Sequence, residues 1–261
     1  MISRPKTQFI KNVISGLNTK IIGKNVYHFE TIDSTNLYAK KLVKDGVEEG
    51  SVVISDVQLS GRGRKNRIWS SPKGGLWFSI ILYPKISLKN GMLVTMASSV
   101  AIVHGIKDII DITPVIKWPN DLLINDKKVC GILSEIEAEK DNIKYAIIGI
   151  GVNVNNQLEK ELYKTATTLK QEIGNQVSIV ELFRSILKRF DENYNRLILG
   201  DYDFIRNSWL LHSDIIGKKI QVQDDKTLVI GRVTNIDDNG YLILDTENGP
   251  TRIVSGNLKY L

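Results

Sequence analysis

Gln58-Leu59-Ser60-Gly61-Arg62-Gly63-Arg64-Lys65-Asn66-Arg67 is the stretch on which the reading of this chain turns. Two glycines alternate with two arginines, two more cations follow, and no Asp or Glu occurs between Asp56 and Asp108. Glycine permits close backbone approach to a ligand and turns that other residues resist. Arginine offers a planar fork of donors that fits carboxylate and phosphate. A loop built this way, with no acid nearby, suits anions. Its cations repel one another until anions arrive, so the loop is expected to move without ligand and to order with it. Alone, the stretch reads equally well as a solvated basic loop or as a piece of nucleic-acid-binding tail.

Outward from the loop, Ser51 to Val57 reads as a β-branched strand before it and Gly75 to Tyr83 as a strand after it. Upstream, a short amphipathic helix is expected over residues 8–18 and a strand over Val26 to Ile32. Asp33-Ser34-Thr35-Asn36 then supplies capping side chains for a helix through Lys44. Downstream, Leu93 to Ile110 reads as a buried helix. Val115 to Trp118, Asp121 to Ile124, Val129 to Glu137 and Tyr145 to Asn153 read as strands. Ser178-Ile179-Val180-Glu181 is a capping box that opens a helix to about Leu199, and another helix is expected over Phe204 to Leu211. After Ser213 only short strands follow, with Asp238-Asn239-Gly240 as a hairpin signal. The fold class is therefore α+β. It divides into an N-terminal extension (1–24), a mixed sheet with helices packed on it (25–213), and a small SH3-like β-barrel (214–261).

A chain of 261 residues holds one good core plus such an appendage. Net charge of +6 is mild for a dedicated nucleic-acid binder and suits a nucleotide substrate or an acidic protein partner. Cys130 is the sole cysteine, which excludes an internal disulfide or a thiolate metal cage and points to a reducing, cytoplasmic setting. Its apolar neighbours mark it as a buried small hydrophobe rather than a nucleophile. No apolar run is long enough to span a membrane, and the N-terminus lacks the apolar centre of a secretory signal.

Lys117-Trp118-Pro119-Asn120-Asp121 is the second dense cluster. It reads as an anion-binding lysine oriented by an amide and a carboxylate, or as a strand-end turn with Trp in the core. Lys128 precedes Val129-Cys130-Gly131-Ile132-Leu133, where a glycine inside a β run signals close approach by another group. Gly149-Ile150-Gly151-Val152-Asn153 has no helix directly after it and is not a dinucleotide fingerprint. Asn153 is positioned to reach a ligand edge.

Together these pieces resemble the biotin protein ligase family. They are Asp33 to Asn36, Gln58 to Arg64 with Arg67 and Trp69, Ser71 to Leu76, Lys117 to Asp121, Lys128 to Leu133 and Gly149 to Asn153, in the family's order over roughly residues 28–155. The tail resembles the family's C-terminal domain more loosely. The resemblance implies a class II aminoacyl-tRNA-synthetase-like catalytic fold. It also implies a two-step reaction: biotin and ATP, with Mg2+, give biotinyl-5′-AMP, and a lysine of a biotin carboxyl carrier protein then takes the biotinyl group. It implies catalytic roles for Lys117, Arg64 and Lys128. Substrate-binding roles fall to Ser34, Thr35, Asn36, Gln58, Gly61, Arg62, Gly63, Arg67, Trp69, Asn120, Asp121, Gly131 and Asn153. Ser34, Thr35 and Gln58 suit a ureido ring. Arg62, Arg64 and Lys117 suit the carboxylate and the α-phosphate, which repel each other. About 25 residues precede the catalytic part, so the resemblance is to monofunctional members, without sequence-specific DNA binding. The lipoate ligase motif, Arg-Arg-x-x-Gly-Gly-Gly, is not found. Metal ligands, the acceptor's identity and the oligomeric state, a homodimer included, stay open.

Overall fold

The computed structural model describes residues 8–223 and 227–261; residues 1–7, the start of the expected extension, lie outside the described residues. In chain order the elements are α1 (Gln8–Ile14), β1 (Val26–Ile32), α2 (Thr35–Lys44), β2 (Val52–Gln58), β3 (Leu76–Leu82), α3 (Gly91–Lys107), β4 (Val115–Lys117), β5 (Asp121–Ile124), β6 (Lys127–Glu139) and β7 (Asn142–Val152). There follow α4 (Leu169–Ile173), α5 (Ile179–Ile198), α6 (Tyr202–Leu211), β8 (Lys219–Gln223), β9 (Leu228–Ile236), β10 (Leu242–Thr246), β11 (Gly249–Ile253) and β12 (Asn257–Tyr260).

Strands β1 to β7 form one mixed sheet in the order β1-β2-β3-β7-β6-β5-β4. Only β1 and β2 run parallel, joined through α2; the remaining pairs are antiparallel. Period-two alternation gives the sheet two unlike faces. On the first face Leu76, Phe78, Ile80 and Leu82 of β3, Ile148 and Ile150 of β7, and Cys130 and Ile132 of β6 join the main core. Helices α3 and α5 cover that face. Apolar residues occupy α3 all round, as expected of a helix with no solvent side. Phe183 of α5 closes the core edge-on against Phe78, with ring centroids 5.0 Å apart. On the second face, Ala39 and Leu42 of α2 cover Val53, Ile81 and Ile147 in a smaller cluster, with Tyr27, Phe29 and Tyr145 among the residues packed at its rim. Beyond α2 that face borders the cleft lined by the residues that the sequence motifs single out.

The C-terminal strands form an antiparallel sheet in the order β11-β10-β9-β8-β12. The Asp238-Asn239-Gly240 turn joins β9 to β10 and rests on the start of α3. Asn239 Nδ2 donates to Asn90 Oδ1 at 2.9 Å. Gly240 has φ of 86°, and a Cβ there would stand 2.4 Å from Met96 Sδ, so glycine serves both the turn and the packing.

Several boundaries differ from expectation. Helix α1 stops at Ile14, before Gly16, against which the Arg184 guanidinium packs. Ser178 accepts from Glu181 N at 3.4 Å, but the reciprocal capping box lies upstream, at Thr168 and Gln171 of α4. Helix α4 and strand β12 escape the sequence reading because each is too short to show a period. Cys130 is fully buried, and burial pushes its thiol well above the ordinary range. It is therefore expected to stay unmodified by a thiol-specific reagent in the native protein and to react once denatured. Rapid labelling of the native chain would contradict this placement.

Candidate active site

Three cross-strand rows occupy the second face: Trp77–Gly151–Gly131, Ser79–Gly149–Leu133 and Ile81–Ile147–Glu135. Gly151 and Gly131 face each other and make a floor without side chains. Trp69 lies on that floor. A Cβ at Gly151 would come within 2.4 Å of Trp69 Nε1, and one at Gly131 within 2.9 Å of Trp69 Cζ3. The close approach foreseen at Gly131 is therefore made by Trp69, with Lys128 beside it. Lys128 Nζ stands 4.9 Å from the Trp69 ring centroid and 2.6 Å from Asp121 Oδ1.

The glycine–arginine stretch leaves β2 and returns as a narrow hairpin, with antiparallel bridges between Gln58 and Ser71 and between Arg62 and Ile68. Gly61 is buried in its base, where a Cβ would meet the Trp69 carbonyl oxygen at 2.3 Å. Gly61 thus serves the hairpin's own closure; alone among the expected site residues it does not line the cleft. Lys65 and Asn66 turn the tip with positive φ. Trypsin is expected to cut the tip after Arg62, Arg64 or Lys65 in the free protein. Biotin with a non-hydrolysable adenylate analogue should protect these bonds; equal cleavage in both states would count against ordering by ligand.

Arg64 is tied inward. Its Nη1 donates to Asn120 Oδ1 at 2.9 Å and its Nη2 to the Gly256 carbonyl at 3.3 Å. Burial pulls the guanidinium below its ordinary value, and the Asp121 carboxylate opposes that shift. Asn120 is itself fixed, because its Nδ2 donates to Ile132 O at 2.7 Å and so leaves Oδ1 for Arg64. In the same cluster Trp118 is buried in the core, so this segment is both a strand-end turn and an anchor for charge. Lys117 ends β4 and reaches the cleft with Nζ 5.5 Å from the ring centroid of Tyr260 in β12. Burial pushes the Tyr260 phenol up to about 12, so that ring is neutral.

Across the cleft lies an uncharged row. Ser34 precedes α2 in extended conformation and its side chain makes no capping bond, contrary to expectation. Gln58 Oε1 accepts from Thr35 N at 2.9 Å and Thr35 Oγ1 at 3.1 Å, while Gln58 Nε2 donates to Ser71 Oγ at 2.8 Å. Asn153 is nearly buried, with Oδ1 accepting from Asn156 Nδ2 at 3.3 Å. Ser34, Thr35, Gln58 and Asn153 border one cleft of about 410 Å³ with Arg64, Lys117 and Lys128. Five cations against two acids, Asp121 and Glu159, leave it positive. No histidine lines it: His28 pairs with Asp56, and His104 meets His212.

The cleft also contains residues that sequence reasoning missed. Gly256, Asn257 and Leu258 bring the C-terminal sheet to its edge, and Leu162, Thr165 and Ala166 form a wall. The parallel bridge between Lys128 and Ala166 holds that wall against β6. These segments carry no motif, and only the folded chain brings them close.

Residues 28–153 match the biotin/lipoate A/B protein ligase family, and residues 215–257 match the biotin protein ligase C terminal domain. The bifunctional ligase/repressor BirA of Bacillus subtilis is 35% identical over 263 residues, covering 99% of this chain and 81% of its relative. The chain belongs to the biotin protein ligase family. The ligase activates biotin as biotinyl-5′-AMP and transfers it to a carrier protein. The biotin–[acetyl-CoA-carboxylase] ligase of Paracoccus denitrificans is 29% identical, over 81% of this chain and 90% of that protein. The structure of the Aquifex aeolicus biotin protein ligase in complex with biotin and ATP superposes with a TM-score of 0.79 at 28% identity. It covers 91% of this ligase and all of that chain. No helix among the described residues is long and apolar enough to cross a membrane.

Proposed function

We propose that biotin lies along the Ser34–Thr35–Gln58 row with its carboxylate toward Lys128, and that the ATP phosphates lie between the glycine–arginine hairpin and Lys117. The observation that carries this reading is convergence. Arg64 from the hairpin, Lys117 from β4 and Lys128 from β6 reach one cleft beside a neutral hydrogen-bonding row. A carboxylate oxygen of biotin attacks the α-phosphorus, a new acyl–phosphate bond forms, and the bond to pyrophosphate breaks. Arg62, Arg64 and Lys117 offset the charge that grows at phosphorus. An acceptor lysine amine then attacks the acyl carbon and releases AMP. Asn120 aims Arg64, and Asp121 holds Lys128. Trp69, Gly131 and Asn153 border the nucleotide side, and Asn36 supports Thr35 from beneath.

Among the described residues no three His, Cys, Asp or Glu side chains gather to hold a metal. Magnesium, which keeps waters and leans on substrate phosphates, would arrive on the triphosphate and screen its charge. The acceptor is the carrier of a biotin-dependent carboxylase; the Paracoccus relative bears acetyl-CoA carboxylase in its name. The setting is the cytoplasm, where a lone thiol stays reduced.

Biotin-dependent exchange of pyrophosphate into ATP tests the site assignment without the acceptor. Thr35→Ala and Gln58→Ala should raise the biotin requirement alone, and Arg62→Ala and Arg67→Ala the ATP requirement alone. If both groups of variants shift both substrates alike, the division of the cleft is wrong.

A further inference from the structure

Beneath the Thr35–Gln58 row runs a polar chain in an otherwise apolar face. The buried Ser79 Oγ lies 2.7 Å from Thr35 Oγ1 and 2.6 Å from Asn36 Oδ1. Asn36 Nδ2 donates to Glu135 Oε2 at 2.8 Å, and Lys40 Nζ donates to Glu135 Oε1 at 2.6 Å. Gly149 makes room for this chain, because a Cβ there would stand 2.2 Å from Asn36 Oδ1.

The chain has a direction. An ionised carboxylate accepts and cannot donate, whereas an amide has one end of each kind. Glu135, paired with Lys40, therefore turns the Asn36 NH2 toward itself and the Asn36 oxygen toward Ser79. The Ser79 hydroxyl has one proton for two acceptors in reach, Asn36 Oδ1 at 2.6 Å and Thr35 Oγ1 at 2.7 Å, and an amide oxygen held toward it takes that proton from Thr35. The Thr35 hydroxyl donates to Gln58 Oε1 at 3.1 Å. Its oxygen is left showing lone pairs to the cleft.

We propose that Glu135, with Lys40, is a positioning residue that fixes the hydrogen-bond polarity of the recognition row through Asn36 and Ser79. The inference rests on the reading that this row takes the ureido ring, whose N–H groups need acceptors. If a donor-capable group replaces Glu135, the Asn36 amide is free to flip. Ser79 then donates to Thr35 and uses up a lone pair meant for the ligand. A polar chain that only fastened α2 to the sheet would have no reason to end in a residue lining the cleft.

The test compares the wild type, Glu135→Gln, Ser79→Ala, their double variant and Thr35→Ala in the pyrophosphate exchange assay. Glu135→Gln should raise KM for biotin about tenfold, the scale of one lost charge-assisted hydrogen bond. It should leave kcat and the KM for ATP within about twofold, the pattern of lost uniform binding. The preference for biotin over analogues with a ring oxygen in place of each ureido N–H in turn should shrink. The double variant should be no worse than the worse single one, because both cut one chain. Should Glu135→Gln fail to fold, Ser79→Ala, which deletes a single hydroxyl, carries the same readouts. If Thr35→Ala raises the biotin KM while Glu135→Gln and Ser79→Ala keep the wild-type KM and analogue preference, the row is right and the inference falls. If Thr35→Ala changes nothing, the row reading falls and the inference with it. Losses spread evenly over kcat and the ATP KM would mark general distortion and also overturn it.

Discussion

Lys117→Ala is expected to slow single-turnover formation of biotinyl-5′-AMP by roughly 10²–10³, or about 2.7–4 kcal/mol, the usual loss when a preorganised donor at a developing charge is removed. Biotin affinity should hardly change. Strand β4 is short but well held: Ile116 N donates to His212 O at 2.7 Å, and Ser213 Oγ donates to Ile116 O at 2.9 Å. Lys117 faces Asp121 in the β4–β5 ladder, yet the Asp121 carboxylate is engaged by Lys128, so the Lys117 ammonium is left for the substrate. Its Nζ lies 5.5 Å from the centroid of the neutral Tyr260 ring, which favours a cation without neutralising it. The measurement is rapid-quench adenylation with enzyme in excess, alongside a thermal melt. A folded variant within a factor of a few of wild type would remove Lys117 from the chemistry.

Arg64→Gly should give a different defect. The variant keeps Lys117 and Arg62, so it should still make the adenylate, but it should fail to keep it. Arg64 ties the hairpin to the rest of the site through its bonds to Asn120 and to Gly256. Hydrogen bonds from a charged donor contribute about 1.5–3 kcal/mol each. Losing them, and adding glycine freedom beside Gly63, should speed release of the intermediate by a factor of ten or more. A free mixed anhydride acylates whatever amine it meets. Biotin should therefore appear on a bystander protein, and stopped-flow dissociation of the adenylate should quicken. A variant that holds the intermediate as long as wild type and labels only the carrier would show that retention lies elsewhere.

The fold was legible where a period was long enough to read. Strands β1 and β5 have the boundaries read from the sequence, and the apolar run of α3 declares itself a core helix. The charged residues that meet in the cleft were legible because Arg64, Lys117 and Lys128 sit in dense local motifs. What escaped depends on contacts between segments far apart in sequence. Ser79 is one hydroxyl in an apolar strand, and nothing local shows that Thr35 and Asn36 lie over it. Glu135 looks like any solvated strand carboxylate until α2 brings Lys40 to it. Gly61 looks like a ligand glycine because its neighbours are cationic; only the closed hairpin shows that the Trp69 carbonyl needs its space. Gly256 to Leu258 reach the cleft through the packing of two sheets, which no window of sequence contains.

The two unlike faces of the main sheet imply a pattern of mutational tolerance. Along β3, β6 and β7, saturation mutagenesis scored by growth on an essential biotin enzyme should print a stripe of period two. At Phe78, Ile80, Ile132, Ile148 and Ile150 an apolar exchange of similar volume should survive, because cores accept shape-conserving swaps at under about 1.5 kcal/mol. At the alternate positions Gly131, Gly149 and Gly151 little beyond the native residue should pass, since Asn36, Trp69 and Lys128 already fill the volume a side chain would enter. Neighbouring positions on one strand would thus evolve under opposite rules, one counting volume and the other forbidding it. Drift would run freely on the face that holds the protein together and stall on the face that works.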